Sequence, residues 1–509
     1  MQLFRTKSVE QTIAETDDKD RKLKRSLGAW DLAIMGVAVA VGAGIFSVGA
    51  QAAAYHAGPA VIISFLIAGV VCGAAVMCYA EFASMIPVAG SAYTFTYTTV
   101  GEIVAWVIGW DLILEMLMAG AVISKYWGVY LNDFFSLMGW NLNTKVVLFG
   151  GFSFDFAPLI IVAFFTVLLV FGTKIGARVD GAMTVLKIAI VFFVVIVGFF
   201  YVKASNYTPF IPPSEPASAI QGDSAVSGVW EQPLWQAATG MTPSVYGVPG
   251  ILSGAALVFF AFIGFDVVAT ASEETKDPHR NVPLGIGLGM LLIIVMYMLV
   301  AVVTTGMVSY KDLAAVDDPS LATAFELVGA TWAAKVISFG IVLGLATVVM
   351  VLLLGLTRIV FAMSRDGLLP RRLSKTGRHG TPAGLQICVG VVVALVAACF
   401  DVGVLSDMVN IGTLSAFTLV AISVPIMRRK RPELPRAFKM PGNPWVPILI
   451  ALANLWLMLN LSVLTWVRFV VWLVIGFVIY FAYGYRHSRL GNGELTGDIG
   501  DEVAAGIGV

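Results

Sequence analysis

The sequence predicts an all-α integral membrane protein, and three observations carry that prediction. Apolar residues make up 58% of the 509-residue chain, and its mean hydropathy is +0.88. Charged residues make up 13%, roughly half of the usual quarter. Twelve apolar runs approach or exceed the length of about 20 residues that crosses a bilayer as a helix. This composition excludes a soluble enzyme, a disordered chain and a disulfide scaffold, because a soluble protein covers its surface with polar groups.

The predicted spans are residues 30–55, 60–84, 102–124, 157–172, 181–202, 251–271, 284–308, 332–362, 384–400, 404–427, 446–465 and 468–485. The fourth run is short, and Pro158 at its start is tolerated in a first helical turn. Of the 32 basic residues, 24 lie on the side of the N-terminus, six on the other side and two within spans. Because basic residues favour the cytoplasmic side, both termini are predicted to be cytoplasmic, with the chain in the inner membrane.

The chain is predicted to form one transmembrane domain, residues 29–485, between cytoplasmic tails at 1–28 and 486–509. The outer loop 203–249 is predicted to be either a cap with a short interfacial helix or a mostly irregular cap. Residues 319–332 have helical apolar spacing and are predicted to lie along the outer surface. The net charge is zero, the cysteines lie in apolar runs and the histidines are scattered. We therefore expect no nucleic-acid partner, no metal and no cofactor.

The first span is interrupted by glycines midway along its length, in the run Gly42-Ala43-Gly44-Ile45-Phe46. Glycine pairs in membrane helices often permit close helix packing. The alternative is an unwound stretch, whose free amides and half-helix N-terminus can hold an anionic group such as a carboxylate. The two interpretations have similar weight from the run alone. Its position near the middle of the first span favours the unwound stretch.

Span six contains a second interruption at matching depth, where Gly264 and Asp266 follow a run of apolar residues. An intramembrane acid is costly, so it indicates a functional site, although Asp266 can equally accept hydrogen bonds from a broken helix. Interruptions in spans one and six fit two five-helix repeats, at about 29–202 and 250–427, followed by two further helices at 446–485. Because five is an odd number, the second repeat inserts upside down. Two interrupted helices at corresponding positions predict a substrate site between them.

Four of the other ionisable residues within the predicted spans are further candidates for function or for structural pairing. Asp111 and Glu115 are four residues apart on span three and share a helix face. Lys187 lies six or seven residues into span five, if that helix begins near residue 181. An ammonium at that depth needs carbonyl or carboxylate partners or loses its proton, so Lys187 is predicted either to carry a coupled proton or to be a structural cation. Arg358 in span eight forms a gate salt bridge or snorkels to the interface.

Five short motifs, each weak alone, are distributed over about residues 25–485. They are residues Gly42 to Phe46; Tyr79-Ala80-Glu81-Phe82 with Pro87, Gly90 and Tyr93; Phe262-Ile263-Gly264-Phe265-Asp266; Glu273-Glu274 through Pro278 with Asn281 and Pro283; and Ser364-Arg365-Asp366-Gly367 before Pro370. Together they resemble the amino acid–polyamine–organocation superfamily, and within it the bacterial relatives of cationic amino acid transporters. The resemblance implies a leucine-transporter-type fold, with ten core helices in two inverted repeats and two C-terminal helices.

The resemblance also implies roles for residues of the two interruptions. The backbone amides of Ala43 and Gly44 are expected to hold a substrate carboxylate, and Phe260 to close over the ligand as an aromatic gate. The carbonyls of Ala40, Phe260 and Ile263 are expected to hold the ammonium. Asp266 and Glu115 are similar to an acidic pair that lines the site through water, and Lys187 to a lysine that replaces a sodium site. One departure is Ala43, where many members carry Ser or Thr. The predicted substrate-binding set is Ala40, Gly42, Ala43, Gly44, Ile45, Phe260, Ala261, Ile263, Asp266 and Glu115.

These observations predict a secondary active transporter of α-amino acids, neutral or cationic, that works by alternating access as a proton-coupled symporter. An exchanger of the same fold is the alternative, and the sequence does not separate the two. An intramembrane enzyme is a remote alternative, since it needs a cluster of His, Asp or Glu at one membrane face and the sequence has none. The predicted partners are an amino-acid substrate, protons and the lipid bilayer, with no obligate protein partner.

Overall fold

The computed structural model describes residues 5, 27–42, 44–85, 91–140, 142, 144–147, 153–171, 174–217, 228–264, 268, 275–316, 319–375, 381–430, 432, 436 and 438–493. Of the two predicted tails, it therefore describes residues 5, 27–28 and 486–493. The predicted site residues Ala43 and Asp266 lie outside the described residues.

Helices make up most of the described chain. The first half contains α1 (Ala29–Ala40), α2 (Gly49–Ala52), α3 (Val61–Met85), α4 (Ser91–Thr99), α5 (Glu102–Leu137), α6 (Ala157–Phe171) and α7 (Lys174–Phe199). The second half contains α8 (Leu234–Thr239), α9 (Gly247–Val258), α10 (Pro278–Met307), α11 (Tyr310–Ala314), α12 (Leu321–Leu327), α13 (Thr331–Arg365), α14 (Ala383–Cys399), α15 (Val402–Lys430), α16 (Trp445–Leu459), α17 (Val463–Ile479) and α18 (Tyr485–His487). The π-helical turns Gly44–Val48 and Ala53–Ala57 flank α2, and Tyr480–Gly484 joins α17 to α18.

Two short antiparallel ladders lie in the connections between helices. Strand β1 (Lys145–Val147) pairs with β2 (Ser153–Asp155), and β3 (Glu215–Pro216) pairs with β4 (Ser244–Val245). The all-α prediction therefore misses small elements of two to three residues, which are too short to give an alternating apolar pattern. The second ladder and α8 belong to the loop predicted at 203–249, so its described part contains a short helix, and residues 218–227 lie outside the described residues.

Six helical stretches of the described chain are long and apolar enough to cross a membrane, judged by length and composition. They are Gly44–Phe82, Glu102–Leu137, Arg280–Met307, Thr331–Arg365, Val402–Lys430 and Val463–His487. Six shorter apolar helices of 10–17 residues are Ala29–Ala40, Ala157–Phe171, Met183–Phe199, Gly247–Phe262, Ala383–Cys399 and Trp445–Leu459. The helical membrane class is supported, and the count of twelve spans stays a prediction.

Helix α5 forms the centre of the packing and the C-terminal helices lie at its edge. Of the most apolar 18-residue window of α5, 89% is buried, whereas the figure is 22% for the stretch Val463–His487. The long helix α5 packs against α4, α6, α13, α14, α15 and α17. Side chains on α5 are therefore surrounded by protein at membrane depth, and polar groups there need protein partners.

Two predicted helix boundaries are wrong in an informative way. Helix α7 begins at Lys174 rather than near residue 181, because a membrane helix can continue beyond the apolar run that marks its span. Lys187 therefore lies deeper within its helix than predicted. The last two helices are separated at 460–462, where the Ser462 hydroxyl accepts a hydrogen bond from the Thr465 amide and caps α17. The predicted boundary at 465–468 overlooked that cap.

A buried ion pair joins the end of α3 to the end of α15. The Glu81 side chain is 2% exposed, and Arg428 donates to it through Nε at 2.8 Å and Nη2 at 2.6 Å. The backbone amide of Met440 donates to the same carboxylate at 2.8 Å. We call Glu81, Arg428 and Met440 the Glu81 cluster. Its paired, two-point geometry fixes both helix ends and the chain that follows α15.

Candidate functional site

Both predicted interruptions are present in the backbone. Helix α1 ends at Ala40, Val41 is extended with φ −71° and ψ 94°, and helical structure resumes at Gly44. Helix α9 tightens into a 3₁₀ turn over Phe259–Phe262, after which Ile263 is extended and Gly264 has φ +88°. A φ in that region is costly for any residue except glycine, which explains the glycine at 264. Each interruption leaves backbone NH and CO groups outside a regular helix.

The two interruptions lie against each other. A Cβ placed on Gly44 would lie 2.3 Å from the Ala261 Cα, so the backbones touch at this point. A Cβ on Gly264 would lie 2.7 Å from Cγ1 of Val39 on α1. The sequence left two interpretations open for the glycines of the first span, an unwound stretch and close helix packing. Both are present, since the helix is interrupted between Ala40 and Gly44 and Gly44 packs closely on Ala261.

Tyr297 on α10 connects the two interruptions. Its fully buried hydroxyl lies 2.6 Å from the carbonyl oxygen of Ala40 and 2.9 Å from that of Ala261. A single hydroxyl hydrogen serves one of these acceptors at a time or is shared between them. Tyr297 was not among the residues predicted from the sequence. The available signal was a tyrosine inside an otherwise apolar helix, because a buried tyrosine usually finds a partner for its hydroxyl.

Lys187 reaches the end of α1 from α7. The side chain is 1% exposed, and its Nζ donates to the Ala38 carbonyl at 2.7 Å. A Cβ on Gly344 of α13 would lie 2.7 Å from Lys187 Cγ, so the lysine stem needs a glycine beside it. A cation at this place also faces the negative end of the α1 dipole. Lys187 therefore does not snorkel; it contacts the helix turn directly before the first interruption.

The predicted site residues are not all brought into one place. Three of them meet at the interruptions: Ala40, Gly44 and Ala261. Gly42 faces α13 instead, since a Cβ added to Gly42 would lie 3.8 Å from Cγ2 of Val348. Phe260 and Ile263 are buried beside them. Ile45 instead lines a separate apolar cavity of about 10 Å³, together with Phe65 of α3 and Thr304 of α10.

Glu115 and Arg358 belong to helices other than the two interrupted ones. Glu115 is 1% exposed on α5. Its backbone packs against α15, because a Cβ added to Gly412 would lie 3.8 Å from the Glu115 backbone nitrogen. Arg358 is exposed and forms no ion pair with any residue in the described ranges, which favours snorkelling over a gate salt bridge. The gating role of Arg358 stays a prediction.

The geometry suits a small zwitterion. Unwound turns present amides and carbonyls at membrane depth, where few other polar groups compete for a ligand. Among the described residues, no group of three or more His, Cys, Asp or Glu side chains is placed to hold a metal ion. What the arrangement offers is backbone recognition of a carboxylate and an ammonium, with aromatic and aliphatic side chains around them.

Comparison with known proteins decides the family. Residues 27–483 match the family described as amino acid permease. The chain belongs to the amino acid permease family. This family lies within the amino acid–polyamine–organocation superfamily, so the resemblance drawn from the sequence motifs is confirmed.

Three relatives of the permease illustrate its range. The branched-chain amino acid permease BcaP of Bacillus subtilis (strain 168) is 42% identical over 495 residues, which cover 96% of this chain and 99% of that protein. The methylthioribose transporter of the same organism is 38% identical with the same coverage. Cationic amino acid transporter 4, vacuolar, of Arabidopsis thaliana is 29% identical over 96% of both chains. All three are named as permeases or transporters, which points away from an enzyme.

Proposed function

We propose that the permease is a secondary active transporter that moves α-amino acids across the inner membrane by alternating access. The observation that carries this proposal is the contact between the two interrupted helices at Gly44 and Ala261. Unwound half-helices supply fixed dipoles for both ends of a zwitterion without a dedicated ion pair. The names of the relatives, which include branched-chain and cationic amino acid carriers, agree with an amino-acid substrate.

In this proposal the backbone binds the part that all α-amino acids share. The amides of Ala43 and Gly44 hold the carboxylate, and the carbonyls of Ala40, Phe260 and Ile263 hold the ammonium. Ala40 already accepts a hydrogen bond from Tyr297, and its second lone pair leaves room for a ligand donor. Phe260 closes over the ligand. Glu115 and Asp266 line the site through water.

The proposed frame has twelve spans, with both termini cytoplasmic. Two inverted repeats occupy about residues 29–202 and 250–427, and a final helix pair occupies 446–485. The matching interruptions in α1 and after α9 support this pairing of repeats, because each follows the first helix of its repeat. An odd number of spans in each repeat gives the two interruptions opposite directions in the membrane, as in transporters built from inverted repeats.

Transport is tested with purified protein in two steps. A thermal-shift screen against the twenty amino acids identifies ligands, since a ligand that binds only the folded state raises its stability. Counterflow of each ligand in proteoliposomes then measures transport. We expect saturable counterflow for at least one α-amino acid. A screen and a counterflow assay that are both negative for all twenty would contradict the proposal, and counterflow without net uptake would identify an exchanger.

Proton coupling through Lys187 is the finer part of the proposal. A gradient of one pH unit drives about tenfold accumulation per coupled proton, since tenfold corresponds to about 1.4 kcal/mol. Lys187→Ala is expected to lose this accumulation while counterflow continues. Lys125→Ala is the matched control, because Lys125 is also a buried lysine that donates to a backbone carbonyl, that of Phe400. Unchanged gradient-driven accumulation in Lys187→Ala would overturn coupling through this residue.

A further inference from the structure

A buried acid between α5 and α15 plays no part in the site described above. Asp111 is 1% exposed, and its Oδ2 accepts a hydrogen bond from Oγ of Ser415 at 2.5 Å. Its other oxygen, Oδ1, has no hydrogen-bond partner among the described residues. A charged carboxylate at membrane depth with so few donors is costly, and such acids are usually retained for function.

Asp111 also has no cationic partner in the described parts of the chain. The hydroxyl of Ser415 is its hydrogen-bond partner, and no ion pair involves it. Helix α6 carries no titratable group. The other helices packed against α5 do carry titratable groups. These are Tyr93 and Tyr97 on α4, Lys335, Arg358 and Arg365 on α13, Cys388 and Cys399 on α14, Asp407 and residues 428–430 on α15, and Arg468 on α17. None of these groups bonds to Asp111, and Glu115 is the next acid along α5 itself.

The Ser415 hydroxyl has two alternative acceptors. Its oxygen lies 2.5 Å from Asp111 Oδ2 and 2.9 Å from the carbonyl oxygen of Gly412, one turn earlier on α15. When Asp111 is ionised, the hydroxyl donates to the carboxylate. When a proton occupies Oδ2, Asp111 becomes the donor to Ser415 Oγ, and the Ser415 hydrogen turns to Gly412. One proton is thus accepted by reversing a hydrogen bond, with no movement of heavy atoms.

Helix α15 connects this pair to the second interruption. Phe417 lies two residues after Ser415, and its ring centroid is 6.0 Å from that of Phe259 in an edge-to-face contact. Asn410 on the same helix donates to the Leu257 carbonyl of α9 at 3.4 Å. The helix that carries the serine therefore contacts both α5 and the turns directly before Ile263.

We propose that Asp111 and Ser415 form a proton-binding site between α5 and α15, separate from Lys187, and that its occupancy sets how α15 is held while the second interruption moves. This inference rests on the proposed transport function. The ionised pair attaches α15 to α5 through a charge-assisted bond, which is stronger than the neutral bond that replaces it on proton uptake. Proton binding therefore loosens α15 from α5 and alters the transport rate even when the pH is equal on both sides.

The test uses the full-length protein and two independent measurements. Infrared difference spectroscopy follows the band of a protonated carboxyl group as the pH is raised. Counterflow of an amino acid, at equal pH inside and outside, is measured over the same pH range. The variants are Asp111→Asn, which imitates the protonated acid, and Ser415→Ala, which removes the hydroxyl. Ser423→Ala is the matched control, because its buried hydroxyl donates to Leu419 within α15.

In the wild type we expect a carboxyl band that is lost with rising pH, and a counterflow rate that changes with the same midpoint. Asp111→Asn is expected to lose that band and that component of the pH profile, and Ser415→Ala to shift both. Ser423→Ala should match the wild type. The proposal is overturned if the band persists in Asp111→Asn, or if both variants follow the wild-type pH profile. Absence of wild-type counterflow with an intact titrating band would instead count against the transport function.

Discussion

The two interrupted helices and the Glu81 cluster satisfy their polar groups in opposite ways. At the interruptions, Tyr297 and Lys187 donate to backbone carbonyls of Ala40, Ala261 and Ala38, all of which belong to broken helices. In the Glu81 cluster, a guanidinium and an amide converge on one side-chain carboxylate at the ends of two continuous helices. Backbone acceptors move whenever their segment moves, whereas a two-point ion pair resists displacement. Under the proposed alternating access, we therefore expect the interruptions to move and the Glu81 cluster to stay fixed.

The largest expected effect is on stability, at the Glu81 cluster. Glu81→Gln leaves the Arg428 guanidinium, 20% exposed, without its counter-charge, and removal of one partner of a buried pair costs about 3 kcal/mol or more. Denaturant unfolding in detergent measures the loss. The exposed Asp312→Asn on α11 is the control and should stay within about 0.5 kcal/mol. If Glu81→Gln is as stable as Asp312→Asn, the Glu81 cluster does not hold the two helix ends in place.

The next effect is on transport, at the contact between the interruptions. In Gly44→Ala the new methyl group lies 2.3 Å from the Ala261 Cα, so the two backbones must separate. Displacements of about 1 Å at a binding site can cost about 100-fold in rate, and we expect a loss of that order in counterflow. Gly287→Ala on α10 is the control, because an added Cβ there meets nothing within 4 Å. Equal counterflow rates in Gly44→Ala and Gly287→Ala would show that transport does not depend on the contact between the interruptions.

The smallest of the three effects is expected at Tyr297. Tyr297→Phe keeps the ring packing on Phe65 and removes only the hydroxyl, which leaves the carbonyls of Ala40 and Ala261 one donor short. A lost buried hydrogen bond costs about 1–3 kcal/mol, so we expect substrate affinity to fall by about tenfold. Isothermal titration measures the change. Tyr207→Phe loses a similar bond, to the exposed Val302 carbonyl, and should bind as the wild type does.

The interruptions could be predicted because their cause is local. Glycines within apolar runs at 42–44 and 264 break the helical pattern where they stand, and one sequence is enough to reveal that. The contact partners could not be predicted, because they depend on how helices pack. Nothing near Tyr297 in the sequence indicates that its hydroxyl reaches Ala40, and nothing near Asp111 indicates Ser415, which lies 304 positions along the chain.

Helix ends were predicted least well, for a related reason. Apolar runs mark the part of a helix that lipid or protein covers, and polar turns extend it, as at the start of α7. The turn at 460–462 had a local signal in Ser462, but the unbroken apolar character around it outweighed that signal. Patterning thus predicts that a helix exists more securely than where it begins.

The central claim is that the amino-acid substrate binds between the two interruptions. A cryo-electron microscopy structure with an amino acid identified in the thermal-shift screen tests this most directly. We predict density between residues 40–44 and 260–263, with the carboxylate within hydrogen-bonding distance of the amides at 43–44 and the ammonium beside the Phe260 and Ile263 carbonyls. Substrate density elsewhere in the protein, with the interruptions unchanged, would contradict the account.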